Sequence, residues 1–282
     1  MIIMQGLPAS GKSTKACELA LENGAVRINK DLLRTMLHFD RFTGKNEQKT
    51  QEAAKVLARH FLSQGNVIID DTNLNPKTLQ SWVDLAKDMG CKIEHVVMDT
   101  PVDECLYRDR FRENPVGQHV IASMAMQYKG YGAGVPVIVC DLDGTLCNID
   151  HRLPYVKQEK KDWASFFEGI AKDTPNLAVK EAIEEYRRNG HHIVFVSARP
   201  EDYRDETEQW LDRVLGEDFG YLNLIMRRKG DKRQDTEVKK EIYDRYLKHL
   251  DIRKMFDDRP SVIRMWRELG LDVVDCGKGV EF

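Results

Sequence analysis

Short apolar runs alternate with helical patterns through the first half of the chain. The apolar runs predict β-strands because they are rich in β-branched residues and are bounded by polar turn signals. They cover residues 1–5, 67–69 and 93–98, and helical patterns cover 13–22, 45–64 and 76–89. Strands and helices that alternate in this way are joined by right-handed crossovers and form a parallel sheet.

The second half repeats this alternation after a break. Three glycines and a proline interrupt the pattern within 129–136, which predicts a domain boundary there. Strands are then predicted at 137–140, 193–196, 222–226, 254–256 and 273–274, with helices at 176–189, 203–215, 236–248 and 260–269. We therefore predict an α/β protein of two domains, 1–132 and 133–282, each a parallel sheet flanked by helices. A polar and aromatic insert at about 148–175 is predicted to cap the second domain's site.

Composition excludes several classes of protein. Charged residues make up 32% of the 282 and hydrophobic residues 41%, which is typical of a globular chain rather than a disordered or membrane-embedded one. The formal net charge of -3 excludes a broadly basic surface, so local Arg and Lys clusters would have to hold any nucleic acid. With no apolar run of about 18 residues and no leader pattern, we expect no membrane contact and a cytoplasmic location. Six scattered cysteines argue against a zinc site or a disulfide framework.

A glycine-rich loop follows the first apolar run. The residues from Gly6 to Ser13 fit the pattern G-x-x-x-x-G-K-[ST] between a strand and a helix. Gly6 and Gly11 let backbone N–H groups curl around a phosphate, and the helix N-terminus adds partial positive charge. Lys12 can reach the outer phosphates, and Ser13 can ligate Mg²⁺. The loop therefore predicts a site for a nucleoside triphosphate.

Candidate groups for binding the phosphate acceptor lie downstream. Asp31 and Arg34 share a helical face, so a carboxylate that can act as general base stands beside a guanidinium that can bind an acceptor phosphate. An ordinary capping Asp and a solvated Arg explain the same pair. The polar run 70–73 ends an apolar strand, where ligands of open α/β sheets bind, although it is also typical of a turn.

Two arginines near residue 110 are further candidates. Arg108 and Arg112 are one helical turn apart, and their charges can neutralise the triphosphate during phosphoryl transfer. Arg110 is expected to point elsewhere. Without the glycine-rich loop, the whole stretch would be taken for a surface helix.

A second motif ends the apolar run 137–140. Asp141 and Asp143 share a face if the segment is extended, so both can approach one phosphate, and a carboxylate nucleophile divides hydrolysis into two easier steps. The motif resembles the signature of the haloacid dehalogenase superfamily, in which the first Asp attacks phosphorus and the second protonates the leaving oxygen. An Asp-rich turn is the alternative interpretation.

Supporting groups follow in chain order. Ser197 ends a predicted strand and supplies a hydroxyl for phosphate, and Lys239 can neutralise phosphoryl charge from a helix. Lys232 is an alternative source of that charge. Asp257 and Asp258 end another strand and offer the oxygen ligands that Mg²⁺ prefers.

The order of these motifs resembles the T-even phage type of polynucleotide kinase/3'-phosphatase over nearly the whole chain. That family joins a P-loop kinase to a Rossmann-like phosphatase of the haloacid dehalogenase superfamily with a small cap. The strings 71–76 and 257–259, the latter followed by 265–267, are more specific than the two superfamily motifs. The matching segments are 6–14, 29–34, 71–76, 108, 112, 141–146, 152–155, 196–199, 230–231, 235, 239 and 257–259.

The resemblance implies a role for each matching residue of the kinase. Asp31 would be the general base for a 5'-hydroxyl, Arg34 would bind the phosphate next to the acceptor end, and Arg112 would contact the triphosphate. Asp71 would position the acceptor or the base. The implied sets are Gly6, Gly11, Lys12, Ser13, Thr14, Arg108 and Arg112 for ATP and Mg²⁺, and Arg34, Asp71 and Thr72 for the acceptor.

It implies roles in the phosphatase as well. Asp141 would be the nucleophile and Asp143 the acid and base. Asp235 would orient Lys239. The residues around the scissile phosphate or its nucleotide would be Arg152, Ser197, Arg199 and Lys239, and those at the metal would be Asp141, Asp143, Asp257 and Asp258, with the last two binding it directly or through water.

Small departures from the family pattern leave part of the kinase open. Ala9 and Ala198 stand where family members often have Gly, and the segment after Leu37 looks shortened. The last departure leaves the nucleic-acid entrance of the kinase undefined.

The combined prediction is an enzyme that phosphorylates 5'-hydroxyl ends of RNA or DNA and removes 3'-phosphate and 2',3'-cyclic phosphate. It would act upstream of a ligase, as a possible homo-oligomer, in the host cytoplasm if phage-encoded. The alternatives are a nucleoside kinase fused to a nucleotidase, and a nucleotide-dependent switch with an inactive phosphatase half. The basic run 227–233 either contacts a nucleic-acid backbone or is a solvated loop.

Overall fold

The computed structural model describes residues 1–41 and 43–277. The chain divides into two units, Met1–Tyr128 and Lys129–Phe282. The predicted domain limits, 1–132 and 133–282, remain predictions, and the end of the second range, 278–282, lies outside the described residues.

The first unit is built on four parallel strands. In chain order its elements are β1 (Ile2–Gln5), α1 (Lys12–Asn23), β2 (Val26–Ile28), α2 (Lys30–His38), α3 (Gly44–Leu62), β3 (Val67–Ile69), α4 (Pro76–Asp88), β4 (Glu94–Val97), α5 (Val102–Asp109) and α6 (Gln118–Lys129). The strand order is β2-β3-β1-β4. Helices cover the sheet, so Ile3 of β1 and Ile69 of β3 are fully buried in one core with Trp82 of α4.

The second unit has a five-stranded parallel sheet. In chain order its elements are β5 (Pro136–Cys140), β6 (Cys147–Asn148), α7 (Pro154–Lys157), α8 (Trp163–Glu168), β7 (Thr174–Pro175), α9 (Leu177–Arg188), β8 (His192–Pro200), α10 (Arg204–Leu215), β9 (Asn223–Arg227), α11 (Asp235–Ile242), β10 (Asp251–Asp257), α12 (Pro260–Glu268) and β11 (Val273–Asp275). The strand order is β11-β10-β5-β8-β9. Ile138 of β5, Phe195 of β8 and Trp210 of α10 share its core.

These two helix-flanked parallel sheets confirm the predicted α/β class. The helix predicted at 236–248 is α11 followed by a π-helical turn at Tyr243–Leu247. The insert predicted at about 148–175 contains α7, α8 and a 3-10 turn at Ile170–Lys172, and the antiparallel pair β6 and β7 closes it at the base. Across 1–41 and 43–277, no helix combines the length and the apolar character needed to cross a membrane.

Candidate active sites

The glycine-rich loop joins β1 to α1 in backbone conformations that require glycine. Gly6 has a φ of 151°, and a Cβ there would lie 2.8 Å from Ser10 Oγ. Gly11 has a φ of 90° and precedes the first turn of α1. Ala9 has a φ of 59°, so an alanine occupies the left-handed region where the family often has Gly. Thr14 lies exposed in the first turn of α1.

Lys12 lies inside this loop. Its Nζ donates to Leu7 O at 2.5 Å and to Ser10 Oγ at 3.4 Å. Burial lowers the pKa of Lys12 to about 8. The loop thus holds the ammonium of Lys12 against its own oxygens, at the place where the motif predicts phosphate.

Asp70 belongs to the run 70–73, which the sequence placed at a ligand-binding strand end, or alternatively in a turn, without giving Asp70 a role of its own. It follows β3 and is buried, and it accepts a hydrogen bond from Ser13 Oγ at 3.3 Å. Arg27 Nε donates to it at 2.8 Å, and Asn29 Nδ2 donates at 3.2 Å. Asp70 therefore ties the predicted metal ligand Ser13 to the end of β3. Its position at a strand end was the signal for it.

The acceptor pair lies together on α2 as predicted from its spacing. Arg34 Nη1 contacts Asp31 Oδ1 at 2.7 Å, and Nη2 contacts Glu47 Oε2 of α3 at 2.8 Å. The Asp31 side chain is 81% exposed, so an acceptor can reach it. Asn29 caps α2 by accepting from Leu32 N. Glu47, 13 residues from Arg34, has no signal in the sequence that links it to this pair.

Asp71 and Thr72 connect the end of β3 to α2 and to the glycine-rich loop, respectively. Asp71 accepts from Lys30 N at 3.1 Å, and burial raises its pKa to about 6. The Thr72 carbonyl accepts from Gly6 N at 3.0 Å. Asn73 donates to Met4 O at 2.8 Å with its backbone at a φ of 44°. The run 70–73 thus joins β3, β1 and α2 around the phosphate loop.

The predicted helical face of Arg108 and Arg112 is wrong. Helix α5 ends at Asp109, so Arg112 lies in a following turn, with its amide donating to the Asp109 carbonyl at 3.2 Å. Both side chains still face the phosphate loop. Arg108 Nη1 is 4.0 Å from where a Cβ on Gly11 would stand, and the charge of Arg112 contributes to lowering the pKa of Lys12, after the larger effect of burial. Their nearest carboxylates are Glu104 and Asp109.

In the second unit, three carboxylates meet at the ends of β5 and β10. Oxygens of Asp141, Asp257 and Asp258 lie within 4.8 Å of one another. Lys239 Nζ is 3.1 Å from Asp141 and 2.7 Å from Asp257. Burial raises the pKa of Asp141 above its usual range and that of Asp258 to about 7. This dense set of hard oxygen donors fits a divalent cation such as Mg²⁺.

Gly144 brings this cluster close to the backbone. Its φ of 82° lies in the left-handed region, and a Cβ there would overlap the Asp258 carboxylate. The glycine of the Asp-x-Asp-Gly string therefore has a steric role against a residue more than a hundred positions away.

The side chain of Asp143 belongs to a different group. Arg152 and Arg199 both contact it, the latter at 2.5 Å through Nη2, and both arginines are fully buried. Burial raises its pKa, but the two guanidinium groups outweigh this and hold the pKa of Asp143 well below its usual range. The carboxylate of Asp143 thus lies with the arginines rather than in the cluster of Asp141, Asp257 and Asp258 that fits a cation, where it had been expected.

Asp173 holds the two arginines from the other side and was missed by sequence reasoning. Its Oδ2 is 2.7 Å from Arg152 Nη2 and 2.9 Å from Arg199 Nη2, and its carbonyl accepts from Trp210 Nε1 at 2.8 Å. Asp173 immediately precedes β7, at the end of the cap insert. In the sequence, Asp173 is only an Asp next to the start of a strand, and this pattern is too common to indicate a functional residue.

Ser197 lies on β8 beneath these groups. It is buried, and its Oγ accepts from Arg199 N at 3.2 Å. Its hydroxyl therefore fixes the backbone that carries Arg199, next to the predicted phosphate position.

The expected pairing of Asp235 with Lys239 is corrected. Asp235 contacts Arg227 and, at 2.5 Å, Arg259, while Asp257 receives the hydrogen bond from Lys239. Lys239 lies against Asp141. The alternative cation, Lys232, is exposed and lines the same cavity.

That cavity has a volume of about 860 Å³. Its walls include the catalytic candidates Asp141, Asp143, Lys239 and Asp258, aromatic side chains of the cap, and part of the basic run. Most cations of that run are paired: Arg228 contacts Glu241 at 3.1 Å, and Arg233 contacts Asp231 and Glu241. Most cations of the basic run 227–233 therefore form ion pairs with neighbouring carboxylates.

Comparison with known proteins places both units. Residues 135–280 match the family described as the polynucleotide kinase PNKP phosphatase domain, and residues 1–131 match an AAA domain. A putative bifunctional polynucleotide kinase/RNA ligase of Autographa californica nuclear polyhedrosis virus is 27% identical over 97% of this chain and 42% of its own length. A bifunctional polynucleotide phosphatase/kinase of Schizosaccharomyces pombe is 23% identical over 40% of this chain and 24% of its own. The chain thus spans less than half the length of these relatives.

Solved structures were compared as well. Two structures of a Pnkp1/Rnl/Hen1 complex, one described as an RNA repair complex, are 27% and 26% identical. Each covers 99% of this chain and 96% of its own, with TM-scores of 0.44 and 0.45. The phosphatase family matches more than half of this chain's residues, so the chain belongs to the polynucleotide kinase phosphatase family. Within the chain, the phosphatase domain follows a P-loop domain of AAA type.

Proposed function

We propose that this chain heals broken nucleic-acid ends, by transferring the γ-phosphate of ATP to a 5'-hydroxyl and by hydrolysing 3'-phosphate and 2',3'-cyclic phosphate. The observation that carries the proposal is the buried Asp141, with Lys239 and two further carboxylates beside it, inside a domain of the polynucleotide kinase phosphatase family. A site that only bound nucleotides would not need this costly group of buried carboxylates.

In the kinase, Asp31 accepts the proton of the 5'-hydroxyl as that oxygen bonds to the γ-phosphorus and the bond to the β-phosphate oxygen breaks. Its exposure and its contact with Arg34 support this role. Arg34 binds, in this proposal, the acceptor's adjacent phosphate, which a free nucleoside lacks. Lys12, Arg108 and Arg112 surround the loop and supply positive charge to the triphosphate.

In the phosphatase, an oxygen of Asp141 bonds to phosphorus and the bond to the 3'-oxygen breaks. The leaving oxygen takes a proton from Asp143, which recovers it from the water that then hydrolyses the aspartyl-phosphate. Asp143 is held ionised by Arg152 and Arg199, so it must first gain a proton. A bound phosphate that competes for both guanidinium groups raises the pKa of Asp143 and so favours that gain.

Mg²⁺ fits the oxygens of Asp141, Asp257 and Asp258, and when bound it would supply positive charge against the phosphoryl oxygens. Ser13 would hold the ion that accompanies ATP, and its hydrogen bond to Asp70 supports this role.

RNA or DNA ends are the proposed substrates, and a ligase is the enzyme that would use the products. The viral relative named as a kinase and RNA ligase supports that order of reactions. A phage source, a host-cytoplasmic location, a homo-oligomeric state and a role in DNA repair rest on the resemblance and stay predictions.

The deciding experiment uses an oligonucleotide with a 5'-hydroxyl and a 3'-phosphate, incubated with ATP and Mg²⁺, with each end resolved separately. We expect a 5'-phosphate and a 3'-hydroxyl. A free nucleoside and a 3'-mononucleotide are tested in parallel. Labelling of nucleosides but not of the 3'-phosphorylated nucleotide or the oligomer would favour the alternative, a nucleoside kinase fused to a nucleotidase.

A further inference from the structure

An aromatic cluster of the cap lines the phosphatase cavity without a role in the proposed chemistry. Trp163 begins α8, and its ring stacks on that of Phe167 at 5.9 Å with an interplanar angle of 22°. Phe167 in turn lies 5.0 Å from Tyr203 at 32°. Trp163 remains 43% exposed, so a large planar ring is held by its neighbours while part of it stays open to solvent.

This cluster is connected to the reaction centre. The Arg152 guanidinium lies 4.3 Å from the Phe166 ring centroid, and Phe166 meets Trp163 edge to face at 5.7 Å. Arg152 also contacts Asp143. Phe166 therefore links Trp163 to a guanidinium at the predicted phosphate position. The same cavity is lined by Trp163, Phe166, Phe167 and Asp143.

Within the same cavity, the wall groups suit a nucleotide. Lys232 supplies a cation, as does Arg259, which is paired with Asp235. The carboxylate cluster marks the phosphoryl end, and the volume of about 860 Å³ is in the range of small-molecule sites. Lys161, whose Nζ is 5.6 Å from the Trp163 centroid, is exposed, so a stacking ligand can displace its ammonium into solvent at small cost.

Resting on the proposed phosphatase, we infer that Trp163, backed by Phe167, is a stacking site for the 3'-terminal nucleobase of the substrate. Every base has a π-face, so the site accepts any base and favours ends whose last base is unpaired and free to turn outward. It holds the terminal nucleoside while the 3'-phosphate lies at Asp141.

The test compares phosphate release from two oligonucleotides with the same 3'-phosphate, one ending in a normal nucleotide and one in an abasic residue. Base stacking on aromatic side chains corresponds to roughly 5- to 150-fold when the ring is removed. We expect Trp163→Ala to lower kcat/KM for the normal end by that factor, chiefly through KM, and to change the abasic end less than about twofold. Trp163→Phe should recover much of the loss, because it keeps a ring.

Tyr155→Ala is the matched control. Tyr155 belongs to the same cap insert and is 42% exposed, but it is not among the residues that line the cavity. We expect Tyr155→Ala to have the same kcat/KM for phosphate release as the unsubstituted chain on both oligonucleotides.

Each other outcome is informative. Equal losses on both ends would mean that Trp163 only holds the cap together, and no loss on either would remove the stacking site; both results overturn the inference. Failure of the unsubstituted chain to release phosphate from any 3'-end, or from p-nitrophenyl phosphate, would instead contradict the proposed phosphatase.

Discussion

Ala9 occupies a backbone conformation that suits glycine. An L-residue in the left-handed region costs roughly 1–2 kcal/mol, part of which glycine's greater unfolded-state freedom offsets. We expect Ala9→Gly to raise the free energy of unfolding by about 0.5–1 kcal/mol and to preserve ATP binding, as measured by chemical denaturation and calorimetry.

Asn73 provides the control for this prediction. It also has a positive φ, but its side chain donates to Met4 O in the buried core. Asn73→Gly should therefore destabilise the chain, because the lost hydrogen bond outweighs the eased backbone. A stabilising Asn73→Gly together with a destabilising Ala9→Gly would contradict this account.

Asp71 shows the cost of burying a carboxylate. Its folded pKa of about 6 lies above its usual value of 3.8, so the folded state binds the proton more tightly. Stability therefore falls as pH rises from about 4 to 6, and above that the charged form costs up to about 3 kcal/mol.

Asp71→Asn removes this penalty. The variant should be more stable than the unsubstituted chain at pH 8, and the difference should shrink towards pH 4.5 in thermal unfolding. Asp84→Asn, on the exposed side of α4, controls for loss of one negative charge. A pH-independent difference for Asp71→Asn would show that the burial of Asp71 is not the cause.

At the scale of elements, the cap insert is joined to the sheet by a buried network of charges. Asp173 contacts Arg152 of the insert and Arg199 of β8, and both arginines reach Asp143. Removing one partner from such a network leaves buried charge unpaired, at about 3–5 kcal/mol. We expect Asp173→Ala to lower the unfolding free energy by this amount.

Asp173→Asn keeps the shape but not the charge. It should lower phosphatase activity while 5'-labelling is unchanged, since the arginines lose the anion that aligns them. Asp162→Asn, at the exposed N-cap of α8, is the comparison and should change stability little, because Asn caps a helix about as well as Asp. Full phosphatase activity and stability in Asp173→Asn would refute the positioning role.

The sequence predicted the strands and helices better than it predicted which side chains contact one another. Apolar runs such as 137–140 and 193–196 predicted β5 and β8 because buried parallel strands are nearly continuous in hydrophobic residues. Helix α5 ended earlier than expected, with its arginines continuing into a turn. The pairs Asp70 with Ser13, Arg34 with Glu47 and Asp173 with Arg199 depend on the folded chain, and no local spacing encodes them.

Asp235 illustrates why a role carried over from the family resemblance still depends on the fold. It stands four residues before Lys239 on α11, the separation at which charged pairs meet on a helix. The fold instead gives Lys239 two carboxylates at the sheet edge and gives Asp235 two arginines. The contacts between elements, rather than the separation along α11, therefore give Lys239 and Asp235 their partners.

At the scale of the whole molecule, each unit carries its own set of reactive groups. Asp141→Asn should abolish release of 3'-phosphate and leave 5'-labelling intact, whereas Lys12→Ala should do the reverse. Chelation of divalent cations should stop both. Loss of both activities in either folded variant, checked by its unfolding transition, would contradict independent sites.

The close approach of Asp258 to Gly144 has a consequence for how these two positions evolve. Since any side chain at 144 would displace the Asp258 carboxylate, residue 144 must remain Gly for as long as Asp258 is kept for phosphatase chemistry. Among related chains the two should be inherited as a unit, and a lineage that abandons the 3'-end reaction should be free to change both. Joint substitution of residues 144 and 258 in a related chain would therefore indicate, from its sequence alone, that the chain has lost the 3'-end reaction.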